Sequence, residues 1–303
     1  MTRSAVLSDE MWARIEPELP PVKGAMGRPM REHRSLVEGA IYRYRTGIAW
    51  RDLPPEFGPW QTVWKRHHRF STDGTWDKVL TALQVQADAD GQIDWRLSVD
   101  STSSRVHQHG ATAARPSQGP TSHTRGAGTN DKVLGRRRDE PDDHGIGRSR
   151  GGLTTKTHAL VDGRGLPLVI AVTPGQANDS PALPRLLAEL RVPRIGPGRP
   201  RTTPQALRGD KAYSARAHRA HLRARGVIVV IPEPADQIGH RKNKGSRGGR
   251  PVSFDAADYK NRNVVERAFN QLKNWRGLAT RYDKHALVYR GGLVLASILL
   301  WLS

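Results

Sequence analysis

Cysteine is missing altogether from this 303-residue chain, which excludes disulfides and any zinc site built on thiolates and suits a reducing cytoplasm. Export is not expected either: Met1-Thr2-Arg3-Ser4, with Asp9 and Glu10 following, offers none of the apolar core a leader needs. No apolar run reaches the roughly 20 residues of a membrane span. The longest, Leu293 to Leu302, reads as a buried terminal helix, and the expectation is a soluble protein. No G-x-G-x-x-G follows a strand and no G-x-x-x-x-G-K-[ST] occurs, so nothing points to a nucleotide cofactor. Acids are scarce, with 29 Asp and Glu against 49 Lys and Arg, a formal +20. That balance selects a polyanionic partner, nucleic acid first, and says nothing of catalysis.

Three of the scarce acids stand in informative contexts. Asp100 ends the run Ile93 to Ser101, where Ile93, Trp95, Leu97 and Val99 alternate with polar residues, so it is expected at the tip of a strand. Asp210 lies in Leu-Arg-Gly-Asp-Lys-Ala-Tyr. There Gly209 permits close backbone approach and Ser214 is placed to cap the helix that follows. Glu266 belongs to an expected helix from Asp255 to Trp275, on which Tyr259, Arg262, Glu266 and Lys273 fall within a stripe about 60° wide. Val264, Val265, Ala268, Leu272 and Trp275 form its separate apolar side.

Carboxylates from three elements suit a site for divalent cations, Mg²⁺ or Mn²⁺, that hold a phosphodiester, because such ions take oxygen ligands and share their shell with phosphate and water. Arg262 can fork onto a phosphate, Lys273 adds a point charge and Tyr259 a hydroxyl. For Arg262 and Glu266 alone, an exposed i,i+4 pair worth a few tenths of a kcal/mol would serve as well. The full set Tyr259-x2-Arg262-x3-Glu266-x6-Lys273 resembles the Tyr-Arg-Glu-Lys signature of bacterial insertion-sequence transposases of the Asp-Asp-Glu type, insertion-sequence family five in particular. The resemblance extends over Gly47-Ile48-Ala49-Trp50-Arg51-Asp52-Leu53-Pro54 and the Gly147 to Lys156 run Gly-Arg-Ser-Arg-Gly-Gly-Leu-Thr-Thr-Lys. It implies an α/β, ribonuclease-H-like mixed sheet flanked by helices, with Asp100, Asp210 and Glu266 as catalytic triad and metal ligands. It further implies cleavage and strand transfer at the terminal repeats of a mobile element, double-stranded DNA as partner, a homodimer or larger assembly in synapsis, and a place in the bacterial cytoplasm with the nucleoid. A non-catalytic basic DNA-binding protein and a nuclease without strand transfer are the alternatives.

The length leaves room for two domains. Residues 1–90 carry helical patterns (Trp12 and Ile15 after a Ser8 cap; Leu36, Ala40, Ile41 and Tyr44; Trp60, Val63 and Trp64) and are expected to be an all-α, helix-turn-helix-like DNA-binding domain. Trp60 to Phe70, with Lys65, Arg66 and Arg69, resembles its recognition helix. Residues 91–303 are the expected catalytic domain. Within it, 105–150 reads as a flexible basic excursion, and Leu153 to Val161 with Leu166 to Thr173 as a hairpin about Asp162-Gly163-Arg164-Gly165. Pro181 to Leu190 reads as a helix capped by Asp179 or Ser180, Ser214 to Arg225 as an Arg-rich helix, and Val227 to Ile231 as a buried strand. Residues 235–252 read as a basic loop whose Arg241, Lys242 and Lys244 can follow a phosphate backbone. His107 and His109 lack partnered ligands and stay outside the site.

Overall fold

The computed structural model describes residues 7–22, 32–113 and 140–303. Residues 114–139, most of the expected excursion, lie outside them. The chain begins with four helices, α1 (Asp9–Ile15), α2 (His33–Thr46), α3 (Trp60–Thr72) and α4 (Thr75–Ala89). Ser8 caps the first as expected, accepting the Met11 N–H at 3.2 Å. There follow β1 (Arg96–Val106), α5 (Gln108–Ala111), β2 (Gly147–Ser149), β3 (Gly152–Val161), β4 (Pro167–Pro174), α6 (Ala182–Glu189), β5 (Ala206–Arg208) and α7 (Arg216–Ala224). The chain ends with β6 (Ile228–Val230), α8 (Ala235–Asn243), α9 (Ala256–Tyr259), α10 (Asn263–Lys273), α11 (Arg276–Ala279), β7 (Thr280–Arg281) and α12 (Ala286–Leu302).

Among the described residues the sheet has seven strands in the order β2-β3-β1-β5-β6, with β4 also on β3 and β7 on β1. The expected hairpin is β3 and β4, antiparallel. β1 runs antiparallel to β3 but parallel to β5, and β5 parallel to β6. This is the mixed sheet flanked by helices of a ribonuclease-H-like fold. β1 is its spine. Its first residues pair β5 (Ser98 opposite Arg208) and its last pair β7 (Arg105 opposite Thr280), so on that edge no described strand covers the stretch between. α10 packs there instead.

Several expectations need correction. β1 continues to Val106, so Asp100 sits in mid-strand rather than at its tip; the backbone of the polar run Ser101 to Arg105 is paired along β3. The helix expected from Asp255 to Trp275 is interrupted by a 3₁₀ turn at Lys260–Arg262, where weak helix formers Asn261 and Asn263 flank Arg262. The basic loop at 235–252 is largely helical, α8 followed by a 3₁₀ turn at Gly245–Gly248. Ser214 does not cap α7; its hydroxyl accepts Gln237 Nε2 at 3.0 Å. Nor do the side chains of Asp179 and Ser180 cap α6.

α12 carries the terminal apolar run and packs on α2, α3, α4 and β4. One buried cluster accordingly joins Leu36, Ile41 and Tyr44 of α2 to Leu97 and Val99 of β1 and to Tyr289 and Leu295 of α12. Among the described residues no helix is long and apolar enough to cross a membrane.

Candidate active site

Register brings the first two carboxylates together. Ser98 and Arg208 are opposite one another in the parallel pair, so Asp100 and Asp210 each stand two residues further along adjacent strands, which run about 4.8 Å apart. Asp210 follows the end of β5 with its backbone still extended, and its Oδ1 accepts the Ala212 N–H at 2.9 Å, capping a 3₁₀ turn. Gly209 earns its place between them: a Cβ there would lie 3.1 Å from Val99 Cγ1 and 3.3 Å from Tyr213 Cδ2.

Glu266 reaches this pair through Arg262. The guanidinium donates to Asp100 Oδ2 at 2.6 Å and to Glu266 Oε1 at 2.5 Å, bridging the sheet to α10. Asp100 Oδ1 accepts the Ser101 N–H at 2.8 Å. The Glu266 side chain is 54% exposed, against 21% for Asp100 and 18% for Arg262, so its carboxylate faces solvent. Tyr259 keeps to the same neighbourhood, with the Arg262 guanidinium carbon 5.9 Å from its ring centre. Lys273 donates to Ser103 O at 3.0 Å, satisfying a carbonyl on the uncovered stretch of β1. Burial raises the Asp100 carboxyl, and the Asp210 charge adds to the rise; the Ser101 N–H and Arg262 oppose them. Burial works against the Arg262 charge, yet Asp100 carries that group above its ordinary value. Burial alone lowers Lys273.

Two acids outside the expected set hold this arrangement. Asp258 of α9 takes Arg208 at 2.6 Å and Arg96 at 2.8 Å, fixing the segment that carries Tyr259, Arg262 and Glu266 to β5 and β1. Asp179, expected to be no more than a cap, accepts the Ser101 hydroxyl at 2.6 Å and pairs with Lys156 Nζ at 3.0 Å. It lies 3.8 Å from Nδ1 of the buried His158, whose Nε2 meets Thr173 Oγ1 at 2.8 Å. No local pattern announces Asp179; it reaches Ser101 only because β3 and β1 are neighbours.

The donor set suits a divalent ion. All three carboxylates offer hard oxygens, and Asp100 and Glu266 are already arranged around a cationic group. The Tyr213 hydroxyl is buried without a hydrogen-bond partner; burial, then the charges of Asp179, Asp100 and Asp210, push it well above its ordinary pKa. Asp100, Asp210 and Glu266 do not, however, present atoms all within 4.8 Å of one another, so one shared ion requires Arg262 to withdraw.

The remaining residues singled out in the sequence lie on other elements. On α3, Lys65 and Arg69 are exposed, whereas Arg66 is buried and turned onto His33. Lys242 of α8 and Lys244 just after it are exposed, and Arg241 pairs with Glu233. His107 packs its ring on Tyr282 and His109, away from the carboxylates.

Comparison with known proteins matches the chain to two families. Residues 7–80 match the family described as "Putative transposase of IS4/5 family", and residues 91–301 match the family "Transposase DDE domain". A Brucella ovis protein named "Putative transposase for insertion sequence element IS6501" is 36% identical over 150 residues, 50% of this chain and 99% of that one. The "Insertion element IS402 uncharacterized 16.2 kDa protein" of Burkholderia cepacia is 37% identical over 108 residues, 33% of this chain and 74% of that one. The "Uncharacterized protein y4sN" of Sinorhizobium fredii is 36% identical over 114 residues, 37% of this chain and 86% of that one. No solved structure matches the chain.

Proposed function

Since the chain belongs to the DDE transposases of insertion sequences, we propose that it binds the terminal inverted repeats of its own element, within insertion-sequence family five, and catalyses strand cleavage and strand transfer there. Asp100, Asp210 and Glu266 would hold the divalent ions, Mg²⁺ or Mn²⁺. The observation that carries this assignment is the Arg262 clamp, which ties the carboxylate of β1 to that of α10 beside the end of β5. Bound divalent ions would supply activation of the attacking oxygen and charge neutralisation at the leaving one.

The chain's own side chains do the rest. Arg262, once clear of Asp100 and Glu266, would offer a planar fork suited to a phosphate of the cleaved strand. Lys273 and Tyr259 flank it and fix the substrate backbone, so that the scissile phosphate is held in line. Lys65 and Arg69 of α3 contribute to repeat binding, and Lys242 and Lys244 to backbone contact. With Arg66 turned inward and Arg241 paired to Glu233, those two are weaker candidates for contact. Joining two element ends calls for two copies of the chain, and a homodimer is the simplest assembly.

The test is nicking of a duplex carrying the element's ends in Mg²⁺ or Mn²⁺. Asp100→Ala, Asp210→Ala and Glu266→Gln are each expected to abolish nicking while end binding and the circular dichroism spectrum persist. Binding without nicking by the wild-type chain would favour a DNA-binding protein that has lost catalysis, and nicks without joined products a nuclease. Undiminished nicking by any one variant removes that residue from the triad.

A further inference from the structure

A second set of metal-ligating side chains lies at the start of α12, sharing no residue with the carboxylate site. Glu140, His144 and His285 each present one ligand atom, and these atoms all lie within 4.8 Å of one another. The carboxylate is already oriented: Oε1 accepts the Ala286 N–H at 2.7 Å and Oε2 the Leu287 N–H at 2.9 Å. His144 Nδ1 stands 2.8 Å and His285 Nδ1 3.9 Å from Glu140 Oε1. The two imidazoles meet edge to face, with ring centres 5.3 Å apart, and His68 of α3 turns edge-on to His285 at 6.1 Å.

The backbone supports the same grouping. His144, at φ 52°, is the one non-glycine with positive φ among the described residues, a conformation unfavourable to a side chain with a Cβ. The turn that holds it there runs from Pro141 O to the His144 N–H at 2.8 Å and from Asp143 O to the Ile146 N–H at 3.0 Å. It directs the imidazole at Glu140 and His285.

We propose that Glu140, His144 and His285 bind one Zn²⁺ ion as a structural site, with His68 or water in the fourth position. The donors decide the metal class. Imidazole nitrogens with one carboxylate suit zinc, whereas Mg²⁺ takes oxygens and is served by the carboxylates. Tetrahedral ligands at about 2.0–2.1 Å from zinc stand roughly 3.4 Å from one another, and the separations of 2.8 and 3.9 Å bracket that spacing. The two N–H groups on Glu140 supply the carboxylate with the outer bonds that zinc ligands usually carry. The ion ties the 140–146 turn to the start of α12, cross-linking segments distant in sequence. Its binding therefore stabilises the folded chain alone.

The test uses the full chain stripped with chelator and then titrated with Co²⁺ and with Zn²⁺. The expected result is one equivalent of Co²⁺ with visible absorption of tetrahedral strength, displaced by Zn²⁺, and a rise of several degrees in Tm with Zn²⁺. Asp100→Ala and the double variant His107→Ala with His109→Ala should keep both responses, which separates this site from the carboxylates and from adventitious histidine binding. His285→Ala and His144→Gly should lose both. His144→Gly is informative because glycine relieves the backbone at φ 52°, so its metal-free Tm should equal or exceed that of the wild type. A wild-type chain without Co²⁺ absorption, or an undiminished zinc response in His144→Gly, overturns the site and leaves Glu140 as a helix cap. Neither readout involves DNA cleavage, so the outcome is independent of the transposase reaction.

Discussion

Arg262 stands between Asp100 and Glu266, where the proposed divalent ion would bind, and the consequence for metal binding can be measured. Its charge-assisted bond to the half-buried Asp100, at 2.6 Å, is worth on the order of 1.5–3 kcal/mol, that to the exposed Glu266, at 2.5 Å, only a few tenths, and an ion binding Asp100 must break the first. Arg262→Ala should therefore lower the Mn²⁺ concentration for half-saturation of the DNA-free protein by roughly tenfold or more, while nicking falls because the phosphate loses its fork. Arg262→Lys should lie between the two in metal affinity without restoring nicking, since an ammonium cannot bond both partners in one plane. Mn²⁺ titration by calorimetry, alongside nicking on the same preparations, tests it; unchanged metal affinity in Arg262→Ala would mean the guanidinium does not compete. At this scale the sequence showed Asp100, Asp210, Glu266 and Arg262 as a set. It hid Asp179 and Asp258, whose partners lie in distant strands.

Between elements, α12 packs tightly on α2 and α3. A Cβ on Gly291 would fall 2.0 Å from Ser71 Oγ, and one on Gly292 2.5 Å from Tyr44 Cε1, both far inside contact distance. The neighbours cannot yield easily. Tyr44 is fully buried, with its hydroxyl donating to Asp283 Oδ2 at 3.1 Å, and Ser71 bonds His67 O at 2.7 Å. Gly292→Ala should destabilise the protein by about 1–3 kcal/mol, the usual penalty of overpacking. The same substitution at Gly239, which lies in α8 with nothing within 4 Å of its would-be Cβ, should stabilise by about 0.5–1 kcal/mol through helix propensity. Urea denaturation of both variants tests the pair, and equal effects would mean that helix context rather than contact decides. Composition alone could not separate these glycines, because each sits in a helix and only the packing around it differs.

For the molecule as a whole, the buried centre between the helices and the sheet makes stability depend on pH. Arg43 and Tyr44 of α2, His67 of α3 and Asp283 before α12 form one buried network. Trp76 Nε1 donates to His67 Nδ1 at 3.2 Å, which requires a neutral ring, and burial lowers the His67 pKa from 6.5 to about 4 against the pull of Asp283. Burial brings His158 to about 4 as well, against Asp179. Between about pH 6.5 and 4 the unfolded chain therefore takes up protons that the folded chain refuses, and stability falls as pH falls through that window. Each depression of this size corresponds to about 3 kcal/mol at its lower end. Denaturation midpoints at pH 7, 5.5 and 4.5 should decline steadily, and His67→Gln should reduce the slope by roughly half of the histidine contribution. Identical slopes for the two proteins would remove His67 as a source.

The sequence by itself determined the mixed α/β order through its hydrophobic periods, and it pointed to a polyanionic partner through its charge and to the three carboxylates as candidates through their local contexts. These are local or additive properties, legible without knowing what packs on what. Tertiary structure decided that Asp100 lies in mid-strand, because the polar residues after it are held by pairing to β3 rather than by burial of their own side chains. It likewise turned Arg66 inward onto His33, made a hub of Asp179, and gathered Glu140, His144 and His285 into one cluster. In each case the deciding contact joins residues far apart in the chain, and no spacing along the sequence records it.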